Sequence, residues 1–156
     1  MRRFRAIAAA MMSLAALSYG CGGGGKLFGP EEALTYSAST RVIVAAPTRF
    51  ETGVTLTNPT STAVTVRIGC GPFIVVYATS ARSGTPVYDS GANTVCTANV
   101  VDVTLQPGGT KTYTATATTT NILGASGAVG TYYITAVMPV GAATVVLPAG
   151  QVDLRR

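Results

Sequence analysis

The feature that most constrains the fold of this chain is the alternation of apolar and polar residues in short runs. Two neighbouring segments, 50–58 and 63–69, show it most clearly. A period of two places every second side chain on the same face of an extended strand, so each run predicts a half-buried β-strand. The inward positions are Phe50, Thr52, Val54, Leu56, Val64, Val66 and Ile68. The Asn58-Pro59-Thr60-Ser61 segment between the runs has turn chemistry, which predicts that the two strands form a hairpin.

Further short runs continue to the end of the chain. Residues 72–79 are apolar on both faces and predict a central strand, and residues 99–105 predict a strand with Val101, Val103 and Leu105 inward. The other predicted strands are 40–45, 87–88, 110–119, 131–138, 143–147 and 151–154. Residues 120–130 predict a loop, and no helix is expected after the N-terminal apolar segment. About eight or nine short strands at regular spacing predict an all-β, antiparallel, immunoglobulin-like β-sandwich.

The N-terminal segment has the organisation of an export signal. Arg2, Arg3 and Arg5 form a positive region, and residues 6–17 form an uncharged apolar stretch. That stretch has the length of a signal-peptide core and falls short of the roughly 20 apolar residues that span a membrane. Removal of the three arginines lowers the formal net charge from +5 to +2. No cluster of basic residues remains, so nucleic acid is not an expected partner.

Gly20 and Cys21 resemble the end of a bacterial lipobox, in which a small residue precedes the cysteine that receives diacylglycerol. Ser18 and Tyr19 differ from the usual pattern. The alternative is an ordinary secretory signal that is cleaved near Gly20, with an incidental cysteine after it. Gly22 follows the cysteine where an Asp commonly signals inner-membrane retention, which favours the outer membrane in a Gram-negative cell.

These features divide the chain into three parts. We expect residues 1–20 to be a lipoprotein signal peptide, residues 21–39 a glycine-rich tether and linker, and residues 40–156 the β-sandwich domain. The protein would then be exported and anchored to the cell envelope through its N-terminal lipid.

The three cysteines of the chain have two roles if Cys21 carries the lipid. Export places Cys70 and Cys96 in an oxidising compartment, where a disulfide is the expected state. The bond would close a loop of about 25 residues and contribute on the order of 3 kcal/mol to stability. The chain contains no histidine, so neither a metal site nor a catalytic thiol is expected at these cysteines.

Four segments occur in an order that is typical of one family. They are VTLTNPTSTAVTVRI at 54–68, FIVVYATSARSGTPVYD at 73–89, VTLQPGGTKTYTAT at 103–116 and GTYYITAV at 130–137. Over residues 40–154 the chain resembles the BsuPI-type family of proteinase inhibitors. The resemblance implies an immunoglobulin-like sandwich and, as a function, the inhibition of a proteinase.

Four motif residues have expected structural roles. Asn58 should bond backbone groups at a strand end, and Pro107 and Gly108 should supply the dihedral angles of a turn. Tyr132 is a candidate for a tyrosine corner, in which a phenol hydroxyl bonds the backbone between two sheets.

Residues 80–97 form the longest irregular stretch and are the candidate interaction or inhibitory loop. Arg82, Ser83 and Gly84 lie near its start, and Arg82 is the candidate for insertion into a protease pocket. The alternative for Arg82 is an ordinary loop charge. The two readings differ in geometry, because an inhibitory loop protrudes whereas a plain sandwich loop folds over the edge of a sheet.

Catalytic chemistry is not expected. Without histidine the chain cannot form a Ser-His or Cys-His pair, and no spacing in the sequence brings two carboxylates together. We therefore expect no enzyme activity, no metal and no small-molecule cofactor. Two hypotheses remain, a lipid-anchored structural or protein-interaction module with an envelope protein as its partner, and an inhibitor whose partner is a protease.

Mass spectrometry of the native protein tests the N-terminal assignment. We expect the mature chain to begin at Cys21 with a diacylglyceryl group on that residue, and the Cys21→Ser variant to lack it. Peptides that contain Cys70 and Cys96 should appear as one linked species that separates on reduction. Cleavage near Gly20 with no acyl mass would identify the ordinary secretory signal instead.

Overall fold

A computed structural model of the protein describes residues 29–44, 47–95, 100–126 and 129–154. This part of the chain contains a short 3-10 helix (Pro30–Ala33), nine strands and one α-helix. The elements are β1 (Thr35–Ile43), β2 (Arg49–Thr57), β3 (Val64–Ile68), β4 (Phe73–Tyr77), β5 (Tyr88–Asp89), β6 (Val101–Leu105), β7 (Thr110–Thr118), α1 (Thr119–Ser126), β8 (Gly130–Val140) and β9 (Ala143–Leu154). The predicted all-β class is confirmed.

The strands form three antiparallel sheets around one core. The described residues give a three-stranded sheet in the order β1-β2-β7, a two-stranded sheet of β3 and β6, and a four-stranded sheet in the order β5-β4-β8-β9. Inward side chains of all three sheets belong to a single apolar cluster. The layers therefore pack as a β-sandwich, in which each sheet buries one face.

The inward face predicted for β2 is confirmed. Phe50, Thr52, Val54 and Leu56 are all buried, and they alternate with half-exposed positions. The one polar member is satisfied, because the Thr52 hydroxyl lies 2.9 Å from the hydroxyl of Thr40 on β1. Full burial of an apolar side chain of this size stabilises the fold by roughly 1.5–3 kcal/mol. The prediction for Val64, Val66 and Ile68 on β3 is also confirmed.

The hairpin predicted from β2 and β3 is wrong. β2 pairs with β1 and β7, whereas β3 pairs with β6 in a different sheet. Two neighbouring segments join the two strand pairs: residues 58–63 connect β2 to β3, and residues 106–109 connect β6 to β7. The chain therefore turns a corner here, and both pairs pass together from one sheet to the next.

Asn58 lies at this corner and is fully buried. Its Nδ2 atom donates to the carbonyl oxygens of Thr62 at 2.8 Å and Leu105 at 2.9 Å. Its Oδ1 atom accepts from the Thr60 N–H at 3.0 Å and lies 2.7 Å from the Thr60 hydroxyl. The main chain of Asn58 bonds Gly108 and Gly109 at 2.8 and 2.9 Å. One side chain thus joins the end of β2, the following turn and the end of β6.

The loop predicted at 120–130 is wrong over most of its length, because Thr119–Ser126 is an α-helix. The helix begins with a reciprocal cap: Asn121 Oδ1 accepts from the Thr118 N–H at 2.9 Å, and the Asn121 N–H donates to the Thr118 hydroxyl at 3.3 Å. This is the capping-box arrangement with Asn in the place of Glu or Gln. Ile122 is fully buried and packs into the core, so tertiary contact stabilises a helix of low intrinsic propensity.

The C-terminal strands 143–147 and 151–154 are one continuous strand, β9, and the prediction of two is wrong. β9 pairs with β8 throughout, with one register shift between Tyr133 and Thr135. Gly150 lies next to this irregularity and has a φ of 102°. A bulge lets the strand continue past a position that breaks the alternation.

The chain enters the sandwich before residue 40, because β1 begins at Thr35. The preceding 3-10 helix is held by Tyr36, whose hydroxyl donates to the Glu31 carbonyl at 2.7 Å. Burial and, secondarily, the negative charge of Glu31 raise the pKa of Tyr36 to about 12. Residues 1–28, which include the predicted signal peptide and Cys21, lie outside the described residues.

Replacement of Asn58 tests the importance of the corner. We expect Asn58→Ala to lower the free energy of unfolding by about 2–4 kcal/mol, because it removes four side-chain hydrogen bonds and takes the amide donor away from the buried Leu105 carbonyl. Asn121→Ala is the control: it removes the two side-chain hydrogen bonds of an exposed asparagine and should cost about 1 kcal/mol. Urea unfolding of the full chain measures both. Equal losses would contradict the role of the corner.

Candidate functional site

The first part of the candidate loop, residues 80–87, lies between β4 and β5, and β5 itself falls within the predicted stretch 80–97. Ser83 and Gly84 are exposed there, whereas Arg82 is half-buried. Arg82 and Gly84 both adopt positive φ angles, 49° and 84°. A positive φ is ordinary for glycine and costs free energy for arginine, so other contacts must hold Arg82 in place.

Those contacts come from β8, from β9 and from Ser80 in the loop itself. The guanidinium carbon of Arg82 lies 5.5 Å from the centre of the Tyr133 ring. Nη2 donates to the Gly150 carbonyl at 3.2 Å and Nη1 to the Ser80 carbonyl at 3.4 Å. The Nε atom is buried and has no hydrogen-bond partner among the described residues. Arg82 therefore fastens the loop against the β8–β9 sheet and does not project into solvent.

The turn between β6 and β7 contains Pro107 and Gly108 at its two central positions. The Gly109 N–H donates to the Gln106 carbonyl at 2.8 Å, which closes the turn. Gly108 has a φ of 71°, as the third position of a type II turn requires. The turn is exposed, but the Gly108 N–H donates to the Asn58 carbonyl. Its role in the structure is to complete the corner.

Tyr132 lies on β8 and is buried in the core. Its position in the core agrees with a structural role, and the tyrosine corner stays a prediction.

Only one of the three cysteines lies in the described residues. Cys70 follows β3 and is disulfide-bonded. Cys96 belongs to residues 96–99, which lie outside the described part of the chain, as does Cys21. The pairing of Cys70 with Cys96 therefore stays a prediction.

A groove that sequence reasoning missed runs along β6 and the start of β7. Its volume is about 580 Å³. Apolar side chains dominate its wall, and Asp102 and Lys111 are the charged residues that line it. The lining residues are Ile68, Gly69, Cys70, Gly71, Val101, Asp102, Val103, Thr104, Leu105, Thr110, Lys111 and Tyr113.

The groove exists because inward-facing positions are left uncovered. Val101 pairs directly with Ile68 on β3, and direct partners in an antiparallel pair point to the same face. Ile68 is 5% exposed, whereas Val101 is 57% exposed. Val101 therefore faces inward as predicted, but no described strand covers this end of β6. Leu105, at the other end of β6, is buried as predicted.

The start of β7 shows the same effect. Lys111 pairs with the buried Leu56, and Tyr113 pairs with the buried Val54. Both therefore occupy inward-facing positions, yet Lys111 is exposed and Tyr113 is only half-buried. The long apolar stem of a lysine can lie on such a surface while its ammonium group stays in water.

The electrostatics of the groove favour a negative group. Asp102 is paired with Arg67 at 3.3 Å, in an exposed ion pair. None of the ion pairs found in the described residues involves Lys111, whose Nζ lies 6.0 Å from the ring centre of Tyr113. Burial raises the pKa of Tyr113, so the phenol stays neutral at physiological pH. The groove therefore combines apolar surface, strand edges and the unpaired cation Lys111, and these features suit the binding of a partner.

The sequence contains one signal for this groove. Val100 and Val101 are consecutive apolar residues at the start of a strand whose partner, β3, alternates strictly. Consecutive valines cannot both face a one-sided core. Both are more than half exposed, but only the pairing of β6 with β3 shows where they lie.

The described residues contain neither a metal-binding cluster nor a helix that could span a membrane. Within 29–44, 47–95, 100–126 and 129–154, no group of three or more His, Cys, Asp or Glu side chains is placed to hold a metal ion. In the same ranges no helix combines the length and the hydropathy of a membrane span.

Comparison with known proteins gives structural likenesses and no family. No family model matches the chain, and no curated protein matches it. Among solved structures, the chain is similar to one titled "X-ray structure of Northeast Structural Genomics Consortium target SoR45", with 12% sequence identity and a TM-score of 0.35. The match covers 81% of this chain and 89% of that chain.

Replacement of Arg82 tests its role as a fastener. Arg82→Ala should lower the free energy of unfolding by about 1–2 kcal/mol, since it removes a cation–π contact and two hydrogen bonds. Arg67→Ala, which breaks an exposed ion pair, is the control and should cost less than about 1 kcal/mol. Urea unfolding monitored by circular dichroism compares them. A neutral Arg82→Ala would mean that the side chain is free in solution.

Proposed function

We propose that the protein is a lipid-anchored protein of the cell envelope whose immunoglobulin-like β-sandwich is a non-catalytic protein-interaction module. The observation that carries the interaction role is the uncovered groove along β6 and β7. Its exposed valine, Val101, occupies a position that belongs to the inward face of the sheet. Inward-facing apolar surface left open to solvent is typical of a surface that a partner covers.

The membrane anchor is supported by the sequence. A positive N-terminus and an apolar stretch precede the Gly20-Cys21 pair, and four glycines follow it. Acylation of Cys21 would tether the sandwich to a membrane through a flexible segment. The outer membrane is the proposed location in a Gram-negative cell.

The geometry of the 80–97 loop gives less support to proteinase inhibition, the function implied by the BsuPI resemblance. An inhibitory side chain must enter the pocket of a protease, whereas the Arg82 guanidinium lies on Tyr133 and bonds Gly150. We therefore place the interaction surface at the groove, and the resemblance to the family supports only the sandwich architecture in this proposal.

Site-specific photocrosslinking tests the proposed function. A photoreactive residue placed at Val101 in the full chain, expressed in its native cell envelope, should form a defined adduct with a protein partner. Val146 is the matched control, because it is also an exposed valine on a strand, 61% exposed against 57% for Val101. We expect no adduct from position 146. Adducts from neither position, or equal labelling from both, would contradict an interaction surface at the groove.

A further inference from the structure

The groove lies beside two strand edges that lack a neighbour. In the described part of the chain, β7 pairs only with β2, and β6 pairs only with β3. The free edge of β7 is nine residues long. Each free edge presents backbone N–H and carbonyl groups to solvent, and such edges are templates for another strand.

The edge strands β1, β5 and β9 are protected, and β3 and β6 are each only five residues long. β5 is only two residues long, which leaves little edge to pair. β9 contains Pro148, which has no N–H to donate, and β9 lies against β1, the outer strand of the first sheet. Short edge strands, prolines and coverage by another element are the usual means by which proteins block edge-to-edge pairing.

β7 lacks these protections. It contains no proline, and its sequence, TKTYTATAT, is dominated by β-branched threonine, a residue type with high strand propensity. Lys111 is its only charged residue and lies at the groove end. The described edges therefore differ, and the one that is long and open borders the groove.

We propose that the groove is completed by β-strand addition: an extended segment of a partner protein pairs with the free edge of β7. Its alternate apolar side chains then cover Val101, Val103 and Tyr113, and an acidic side chain pairs with Lys111. This inference rests on the proposed function and specifies the class of partner. Side chains on one face of a strand repeat about every 6.6–6.8 Å, so a segment that alternates apolar and polar residues fits such a surface.

The charge of Lys111 favours an acidic residue in the added strand. Lys111 has no ion-pair partner among the described residues, whereas Asp102 is already paired with Arg67. A basic side chain in the added strand would face Lys111, and like charges that lie directly opposite each other are unfavourable. Backbone hydrogen bonds would supply affinity and the side chains register, as in other cases of strand addition.

A peptide titration of the full chain tests the inference. The probe is a capped nine-residue peptide of alternating threonine and valine, with glutamate in place of one central valine. In nitrogen-15 NMR spectra, we expect shifts confined to β6 and β7 and slower hydrogen exchange of the amides on the free edge of β7. Val101→Asp should weaken binding about tenfold or more, and Val146→Asp should leave it unchanged.

A charge swap provides the second measurement. Lys111→Glu should weaken binding of the glutamate peptide and strengthen binding of a peptide with lysine at the same position. Such reciprocal coupling identifies a direct pair and does not follow from a change in stability. No binding at millimolar peptide, shifts elsewhere on the sandwich, or absence of the charge-swap rescue would overturn strand addition.

The outcomes distinguish this inference from the function on which it rests. A crosslinked partner at position 101 combined with no peptide binding leaves the interaction module in place and rejects strand addition. Dimerisation of the full chain through β7, detected by sedimentation and abolished by Lys111→Glu or Val101→Asp, would identify a second copy as the occupant and also reject the proposal.

Discussion

The buried amide of Asn58 is the interaction on which the architecture depends. An asparagine side chain offers two donors and two acceptor positions, and all of them face hydrogen-bond partners at the corner. A buried polar group without partners costs more free energy than a hydrogen bond returns, so the site accepts a residue with this donor and acceptor pattern and little else. Because Asn58 directly follows β2 and its side-chain partners lie in the next turn and at the end of β6, the side chain fixes the corner of both strand pairs together.

The groove is a consequence of that corner. The turn at Pro107 and Gly108 sends β6 out of the sheet of β7 and into a separate pair with β3. At the end of this pair away from the corner, no described strand covers the inward face of β6. Val101 is therefore exposed there while its partner Ile68 is buried. The surface available for binding thus follows from the direction of two strands.

Local sequence patterns predicted the strands. Contacts between residues far apart in the sequence determine the strand pairing, the helix and the position of Arg82, which these patterns could not predict. The alternation of Phe50, Val54 and Leu56 identifies a buried face, because burial on one side of a strand has a period of two. The same alternation cannot name the pairing partner, so β2 and β3 resembled a hairpin although each pairs elsewhere. The helix at 119–126 depends on the burial of Ile122, and the position of Arg82 depends on Tyr133 and Gly150, which are distant in sequence.

Only 11% of the residues in this chain are charged, and the two cation–aromatic pairs in its described residues have different roles. One cation stabilises the fold, and the other is available to bind a partner. Arg82 lies over Tyr133 and also donates hydrogen bonds to two backbone carbonyls, so its guanidinium group is held by contacts within the fold. Lys111 approaches Tyr113 at 6.0 Å and has no carboxylate partner among the described residues. An arginine with a planar, multi-donor head suits the first task, and a lysine with one compact, hydrated charge suits the second. Since the groove has one available charge beside a long strand edge, backbone pairing and apolar contact must supply most of the affinity, and Lys111 must act mainly in selecting the sign of the partner's charge.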